Sequence, residues 1–349
     1  MDTNVELPVP DFYRTENAAR WEYHPDQERL FEDAVAWRER HGLTPAADDD
    51  VRVHLLLIDL QKDFCFEEGS LYVGGRGGRG AIEDNDRIAQ FIYRSLGVLS
   101  QITCTMDTHH PHQIFSPSFW LTEAGTPPAP HREVTAEDVR SGRLRPDPAL
   151  ADALTGGDYE RLRTQAIYYC EQLEATGKYT LYLWPPHCLL GSDGHALAGV
   201  IHEARLLQVF ARAAPSPIEI KGDHPLTENY SALAPEVRSW FSGEPLGERS
   251  GKLLARLRDA DAIIIAGQAA SHCVKHTLED LLDSADAALA RKVYILRDCM
   301  SSVAVPHPDR PGEFAFDFTP HAEAALERFD AAGMNVVEST TPIREWLRV

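Results

Sequence analysis

The sequence has no excess of basic residues, no long apolar run and no repeated cysteine spacing. Its 349 residues include 34 lysines and arginines against 54 aspartates and glutamates, a formal net charge of −20. Nucleic acids and anionic membrane surfaces bind proteins through positive charge, so we expect neither as a partner. No stretch is long enough for a membrane span. The chain starts without an apolar signal segment and its six cysteines are scattered, so we expect a cytoplasmic protein with reduced thiols.

Apolar strand-like runs alternate with amphipathic helical stretches along most of the chain. This alternation predicts one α/β domain of three layers, in which a mostly parallel sheet is covered by helices on both faces. Helical spacing is found at about 82–97, 195–213, 272–285 and 319–331. The predicted strands are "VRVHLLLIDL" (51–60), "SQITCTMD" (100–107), "YTLYL" (179–183), "SPIEIKG" (216–222), "DAIIIAG" (261–267), "KVYILRD" (292–298) and a short "MNVVES" (334–339).

Two segments interrupt this rhythm. Residues 1–50 form an N-terminal extension with one predicted helix at 25–43, and the α/β domain follows at 51–349. An insertion at about 116–178 is rich in proline, glycine and charge, has no strand signal and ends in a predicted helix at 158–177. The glycine-rich "GGRGGRG" lacks the spacing of a dinucleotide-binding fingerprint, so we interpret it as a mobile loop.

Polar and reactive side chains follow the predicted strands. Because ligands of open α/β sheets bind at the carboxyl ends of the strands, these residues are the candidates for a site. They are Asp59 after the first strand, Asp107, His109 and His112 after the second, Trp184 and His187 after "YTLYL", Lys221 after the next and Cys273 after "DAIIIAG".

The segment "DTHHPH" carries the residue types of a metal site. Asp107 and His109 are two positions apart, so their side chains point the same way if the strand continues. His112 follows a proline turn, and His187 lies at another strand end, where two prolines stop the chain. One carboxylate and several imidazoles suit a divalent ion. The alternative is a polar loop with solvated histidines, which His187 makes less attractive.

Cys273 lies where a buried strand gives way to a helix. A helix N-terminus stabilises anions and lowers the pKa of a thiol. The small residues of "GQAAS" would let backbone N–H groups converge near the sulfur. Together with Asp59 and Lys221, the thiol would form a set capable of acyl transfer through a thioester. The alternative is a buried structural cysteine.

Five segments in order resemble the motifs of the isochorismatase-like cysteine hydrolases, and among these the nicotinamidase branch. They are "DLQKDF", "DTHHPHQIF", "WPPHC", "KG" followed by "YSA", and "HCVKHT". The resemblance covers roughly 51–115 and 179–305 and leaves out the N-terminal extension and the insertion. It implies the isochorismatase-like hydrolase fold, and the family commonly forms oligomers, so we expect a homo-oligomer.

The resemblance also implies roles for individual residues. It further implies a cis peptide between Gln268 and Ala269. By position, Asp59, Lys221 and Cys273 match the catalytic triad; Asp107, His109, His112 and His187 match the metal ligands; Phe64 and Trp184 match the pocket walls; and Ala269 and Cys273 match the backbone oxyanion donors.

The implied activity is metal-dependent hydrolysis of a small amide, with nicotinamide converted to nicotinate and ammonia. The implied cofactor is a divalent ion, for which zinc, iron and manganese all suit the ligands. Alternatives are another small amide, a vinyl ether, against which Cys273 argues, or a non-catalytic metal-binding scaffold. The chain departs from the family pattern in its insertion, which separates His112 from His187, and in Ser271 and His272, which replace an acidic residue.

Overall fold

A parallel sheet of six strands forms the centre of the computed structural model, which describes residues 6–177, 179–283, 287–307 and 309–348. In chain order the strands are β1 (Val53–Ile58), β2 (Leu99–Asp107), β3 (Trp120–Thr122), β4 (Arg132–Val134), β5 (Leu144–Pro146), β6 (Leu181–Leu183), β7 (Ile218–Lys221), β8 (Ala262–Gly267), β9 (Val293–Leu296), β10 (Ala304–Pro306), β11 (Phe314–Asp317) and β12 (Asn335–Val337). The order in the sheet is β12–β9–β8–β1–β2–β7, and all its neighbouring pairs are parallel.

Helices cover both faces of this sheet. In chain order the helices of the described residues are α1 (Gln27–His41), α2 (Lys62–Cys65), α3 (Gly80–Arg94), α4 (Ala136–Ser141), α5 (Ala151–Thr155), α6 (Tyr159–Thr176), α7 (Gly199–Arg212), α8 (Gly251–Asp259), α9 (Cys273–Asp283), α10 (Ala287–Arg291), α11 (Thr319–Ala331) and α12 (Ile343–Trp346). The predicted helix at 272–285 matches α9, and its last two residues lie outside the described part of the chain. Among the described residues, no helix has both the length and the apolar composition needed to cross a membrane.

The side chains of the fully buried strand β1 alternate between two cores. Leu55 and Leu57 pack with α1, α3 and α7, whereas Leu56 and Ile58 pack with α8, α9 and α11. A strand with apolar residues on both faces is what a parallel sheet covered by helices requires. The predicted three-layer α/β fold with a mostly parallel sheet is therefore confirmed.

The N-terminal segment packs into the first of these cores. Tyr13 and Leu30 are buried there beside α3 and α7. Tyr23 and Tyr93 both donate a hydrogen bond from their hydroxyl groups to the carboxylate of Glu203. The helix layer on this face thus includes residues that precede the first strand of the sheet.

The insertion builds a small core of its own. Strands β3 and β5 pair antiparallel, β4 and β6 pair antiparallel, and α4 and α6 cover them. The expectation of no strand in the insertion is wrong, because strands of three residues are too short to show a two-residue period. The run "YTLYL" also differs from its prediction, since β6 (Leu181–Leu183) pairs with β4 and does not join the central sheet.

We expect replacement of Arg212 to destabilise the protein strongly. Its buried guanidinium donates hydrogen bonds to the carbonyl oxygens of Thr44 (2.6 Å) and Leu96 (3.0 Å) and pairs with Asp49. Arg212→Ala would leave these groups unpaired in a largely dry site, at a cost of about 3–5 kcal/mol. Arg205→Ala, on the same helix, removes a half-buried contact to Ser216 and should cost about 1 kcal/mol. Urea unfolding measures both; equal losses would contradict the prediction.

Candidate active site

The carboxyl ends of four adjacent strands bring the candidate catalytic residues together. Asp59 follows β1, Asp107 ends β2, Lys221 ends β7, and Cys273 begins α9 after β8. Asp107 and Lys221 are also directly paired in the sheet register. Asp59 has a φ of 47°, so the backbone leaves the strand direction at this residue. Residues up to 214 positions apart in sequence thus meet at one edge of the sheet.

Lys221 is the centre of this group. Its Nζ lies 2.9 Å from Oδ2 of Asp59 and 3.0 Å from Oδ1 of Asp107. It also donates a hydrogen bond to the carbonyl oxygen of Asn229 (2.8 Å) and lies 3.7 Å from Sγ of Cys273. Burial lowers the pKa of Lys221, but the charges of Asp107 and Asp59 outweigh it and hold this pKa well above its ordinary value. The ammonium group is therefore a fixed positive charge beside the thiol.

Asp59 and Cys273 have the properties of a proton acceptor and donor. Burial raises the pKa of the Asp59 carboxyl, against the opposing charge of Lys221. Burial likewise raises the pKa of the Cys273 thiol, and again Lys221 opposes the shift. Asp59 is oriented by the hydroxyl of Thr105, which donates to its Oδ1 at 2.5 Å. A carboxylate with a raised pKa is a stronger base, which suits it to take the thiol proton.

The turn between β8 and α9 presents backbone amides near the sulfur. The expected cis peptide between Gln268 and Ala269 is present. The side-chain amide of Gln268 donates to Oδ2 of Asp84 (2.8 Å) and accepts from the backbone N–H of Ser301 (3.3 Å). These two hydrogen bonds fix the position of the turn. Within the described parts of the chain, the Ala269 and Cys273 amides donate to no backbone carbonyl. Both are thus free to serve as oxyanion donors.

Three of the four predicted metal ligands come together beside the same lysine. The ligand atoms of Asp107, His109 and His187 all lie within 4.8 Å of one another, and all three side chains are buried. His112 lies outside this group: its side chain is exposed, and its Nδ1 is 3.3 Å from the carbonyl oxygen of Ser118. The structure therefore brings one carboxylate and two imidazoles together.

Backbone carbonyls orient both imidazoles for ligation. Nδ1 of His109 lies 3.0 Å from the carbonyl oxygen of His187, and Nδ1 of His187 lies 2.8 Å from that of Pro185. A carbonyl oxygen can only accept a hydrogen bond. Each Nδ1 therefore carries the ring hydrogen as donor, which leaves each Nε2 free of hydrogen and facing the cluster. Burial lowers the pKa of His187 to about 4, which keeps this imidazole neutral at pH 7. The tautomers of both imidazoles and the neutral state of His187 thus fit a divalent ion.

The segment "WPPHC" reaches the cluster by running along the residues that follow β2. The backbone N–H of His109 donates to the carbonyl oxygen of Cys188 (3.0 Å), and that of Leu190 donates to the carbonyl oxygen of His109 (3.0 Å). Asp63 accepts a hydrogen bond from the backbone N–H of Cys188 at 2.6 Å. His187 is therefore positioned from outside the central sheet, and Asp63 has a positioning role.

A small inner cavity lies in front of the sulfur. Its volume is about 30 Å³, and Trp184 donates a hydrogen bond to the hydroxyl of Tyr230 across it (2.8 Å). The predicted wall residues Phe64 and Trp184 both line it. The other lining residues that bear on the chemistry are Asp107, His187, Glu228, Tyr230, Ala269, His272 and Cys273.

Two polar residues of the site have no role assigned from the sequence. Glu228 lines the inner cavity, and burial, together with the charge of Asp107, raises its pKa to about 8. Gln61 donates to the carbonyl oxygen of Asp107 and accepts from its backbone N–H, each at 2.7 Å. Glu228 stands two residues before the "Y" of the matched "YSA", and Gln61 stands within "DLQKDF". Their position inside matched motifs is the signal that could have identified them.

Gly222 leaves open the space beside the cluster, and we expect alanine there to be costly. With a φ of +78°, a Cβ at this position would lie 2.6 Å from Oδ1 of Asp107 and 3.0 Å from Nε2 of His109. Gly243 is the matched control, because it has a φ of +89° but nothing within 4 Å of such a Cβ. Both alanine variants carry the left-handed backbone penalty, but Gly222→Ala adds a steric cost of about 1–3 kcal/mol. Urea unfolding compares them; equal losses would contradict the steric argument.

Sequence comparison finds a relative that matches part of the chain. No protein-family model matches the chain. A nicotinamidase of Escherichia coli is 28% identical over 131 residues, which is 38% of this chain and 52% of that relative. The matched region thus spans about half the length of this curated relative.

Solved structures extend the similarity to most of the fold. The chain is similar to a yeast nicotinamidase, with a TM-score of 0.50 and 21% identity over 82% of this chain and 99% of that one. The structure of a yeast nicotinamidase bound to the inhibitor nicotinaldehyde gives the same TM-score and coverage at 20% identity. The fold implied by the sequence motifs is therefore confirmed: the chain has the isochorismatase-like α/β fold of the solved nicotinamidases.

Proposed function

We propose that this chain is a cysteine amidohydrolase that converts nicotinamide to nicotinate and ammonia through a thioester on Cys273. The observation that carries the proposal is the contact of Lys221 with both Asp59 and Cys273 at the inner cavity. A buried thiol, a buried base and a buried cation in contact suit nucleophilic acyl transfer. The similarity to nicotinamidases from yeast and Escherichia coli supports this choice of reaction and substrate.

The first half of the reaction forms the thioester. Asp59 takes the proton of the Cys273 thiol, and Lys221 stabilises the resulting thiolate. The sulfur attacks the amide carbon, and the backbone N–H groups of Ala269 and Cys273 donate to the oxyanion. Asp59 then passes its proton to the amide nitrogen as the C–N bond breaks, and ammonia leaves.

The second half releases the acid. A water molecule attacks the thioester carbon and gives a proton to Asp59, with the same two amides holding the oxyanion. The C–S bond breaks, the Asp59 proton returns to the Cys273 sulfur, and the carboxylic acid product releases its remaining proton to solvent to become the carboxylate. Asp59 thus serves as base and acid in turn, for which its raised pKa suits it.

We propose that Asp107, His109 and His187 hold a divalent ion. One buried polar atom supports this, because Nε2 of His109 has no hydrogen-bond partner within the described residues and faces Oδ1 of Asp107 at 3.0 Å, although the ring proton is on Nδ1. Mixed nitrogen and oxygen ligands suit zinc, iron or manganese. A bound ion would supply a Lewis acid beside the substrate at the inner cavity. His112 remains the fourth ligand predicted from the sequence.

The proposed mechanism requires the Cys273 sulfur. Cys273→Ala should lower kcat/KM for ammonia release from nicotinamide by at least about a thousandfold, because the nucleophile is lost. Cys170→Ala is the matched control, since that thiol is buried in the insertion core and should leave the rate nearly unchanged. A coupled ammonia assay measures both. Turnover that persists in Cys273→Ala would contradict the thioester.

The proposed metal site requires His187. His187→Ala should lower the affinity for zinc by more than about 100-fold, which exceeds the cost of losing an outer-shell partner. His110→Ala is the control, because its exposed side chain lies next to the cluster in sequence but outside it in space. Metal content after dialysis and competition with a chelating dye measure both. His112→Ala in the same series tests the predicted fourth ligand, and unchanged affinity in His187→Ala would contradict the site.

A further inference from the structure

A second and larger cavity opens directly outside the inner one. Its volume is about 480 Å³, against about 30 Å³ for the inner cavity. The two share Trp184, Tyr230 and His272 as lining residues. We call the larger space the outer chamber. Because they share these walls, the two cavities adjoin, and the outer chamber is the adjacent space for any part of a substrate that the inner cavity cannot hold.

The volumes indicate where most of a substrate lies. Cavities that bind organic ligands usually measure about 300–1,000 Å³, and a volume near 30 Å³ corresponds to one or two waters. The inner cavity therefore accommodates little beyond the reacting amide, whereas the outer chamber has the size of a full ligand site. That size exceeds what a single-ring amide would occupy.

Aromatic side chains form a continuous wall around the outer chamber. The ring of Tyr182 lies 4.5 Å from that of Trp184 and 5.7 Å from that of Phe316, measured between centroids. The ring of His272 lies 5.3 Å from that of Trp184 and 4.9 Å from that of Phe318. Edge-to-face and tilted rings of this kind present surfaces on which another planar aromatic group packs favourably.

Two polar atoms of the same wall are unsatisfied. The hydroxyl of Tyr179 and Nδ1 of His131 are both buried and have no hydrogen-bond partner in the described parts of the chain. Both residues line the outer chamber. A buried polar atom without a partner is costly, so a ligand in the chamber would be favoured if a shift of either side chain let it reach one of these atoms.

Part of this wall comes from segments without counterpart in the matched motifs. His131 belongs to the insertion, just before β4, and Phe316 and Phe318 lie in and just after β11. The catalytic residues all lie within the matched segments. These walls therefore lie outside the segments that hold the catalytic residues, which is the arrangement expected when substrate choice varies while the chemistry is kept.

We propose that the outer chamber binds a second aromatic group of the substrate. The preferred substrates are then aromatic carboxamides that carry a further ring, with the amide at Cys273 and the added ring against Tyr182 and Phe316. This inference rests on the proposed amidohydrolase function and narrows its substrate class. Phe316 and Tyr182 are specificity-determining residues in this proposal.

The test compares nicotinamide with a nicotinamide that carries a phenyl group on its pyridine ring. We expect wild-type protein to release ammonia from the phenyl compound with kcat/KM about 10-fold higher or more. In Phe316→Ala and Tyr182→Ala the ratio of the two kcat/KM values should fall roughly 3- to 10-fold, because one ring contact is lost. Phe314→Ala is the matched control, since Phe314 is half-buried on the same strand but does not line the chamber.

Binding to Cys273→Ala protein, measured by calorimetry, separates the two proposals. Tighter binding of the phenyl compound than of nicotinamide, weakened by adding Phe316→Ala but not Phe314→Ala, supports the chamber whatever the turnover. Equal affinity for the two compounds would overturn the outer-chamber proposal. So would equal changes in the kcat/KM ratio in Phe316→Ala and Phe314→Ala. Either outcome leaves the amidohydrolase function in place. No ammonia from any amide, with phenyl-compound binding retained, contradicts the proposed function alone.

Discussion

The site depends on the ion pairs that the buried ammonium group of Lys221 makes with two carboxylates. Asp59 and Asp107 are two carboxylates in a dry environment, and each would be costly to bury without a partner. Lys221 lies within 3.0 Å of both, and 3.7 Å from the sulfur of Cys273. The charge that makes these acids tolerable in the core is therefore the charge that favours a thiolate. Because Asp107 also belongs to the metal-ligand cluster, one ion-pair network links the catalytic group to that cluster.

The central sheet and the segments around it have different roles at this network. The central sheet fixes the reacting groups, since adjacent strand ends cannot move relative to one another without breaking the ladder. The segments added around the sheet, in contrast, shape the space outside. The insertion contributes β4 and α6 to a separate small core, and β6 returns the chain to "WPPHC". The residues that surround the site can thus change without changing the reacting groups at the ends of the strands.

Much of the site could be predicted because the sheet is regular. A reactive residue directly after an apolar run lies at a strand end, and parallel strand ends meet at one edge. That reasoning placed Asp59, Asp107, Lys221 and Cys273 together. The same reasoning does not locate residues where the backbone leaves a regular strand, because departures of two or three residues carry no periodic signal. His112, for example, is exposed. The run "YTLYL" likewise pairs with a strand of the insertion and not with the central sheet. Gln61 and Glu228 were unassigned because their roles depend on contacts across the sheet.

The sequence by itself determined the fold class, the set of reactive residue types and their order along the chain, since periodicity and composition are local properties. Only the tertiary structure decided which of them touch. It brought His187, and not His112, next to Asp107 and His109, and it placed Lys221 between two acids and a thiol. It also formed the outer chamber from five separated segments. Distances between residues far apart in sequence depend on how helices and strands pack, and no local pattern encodes that packing.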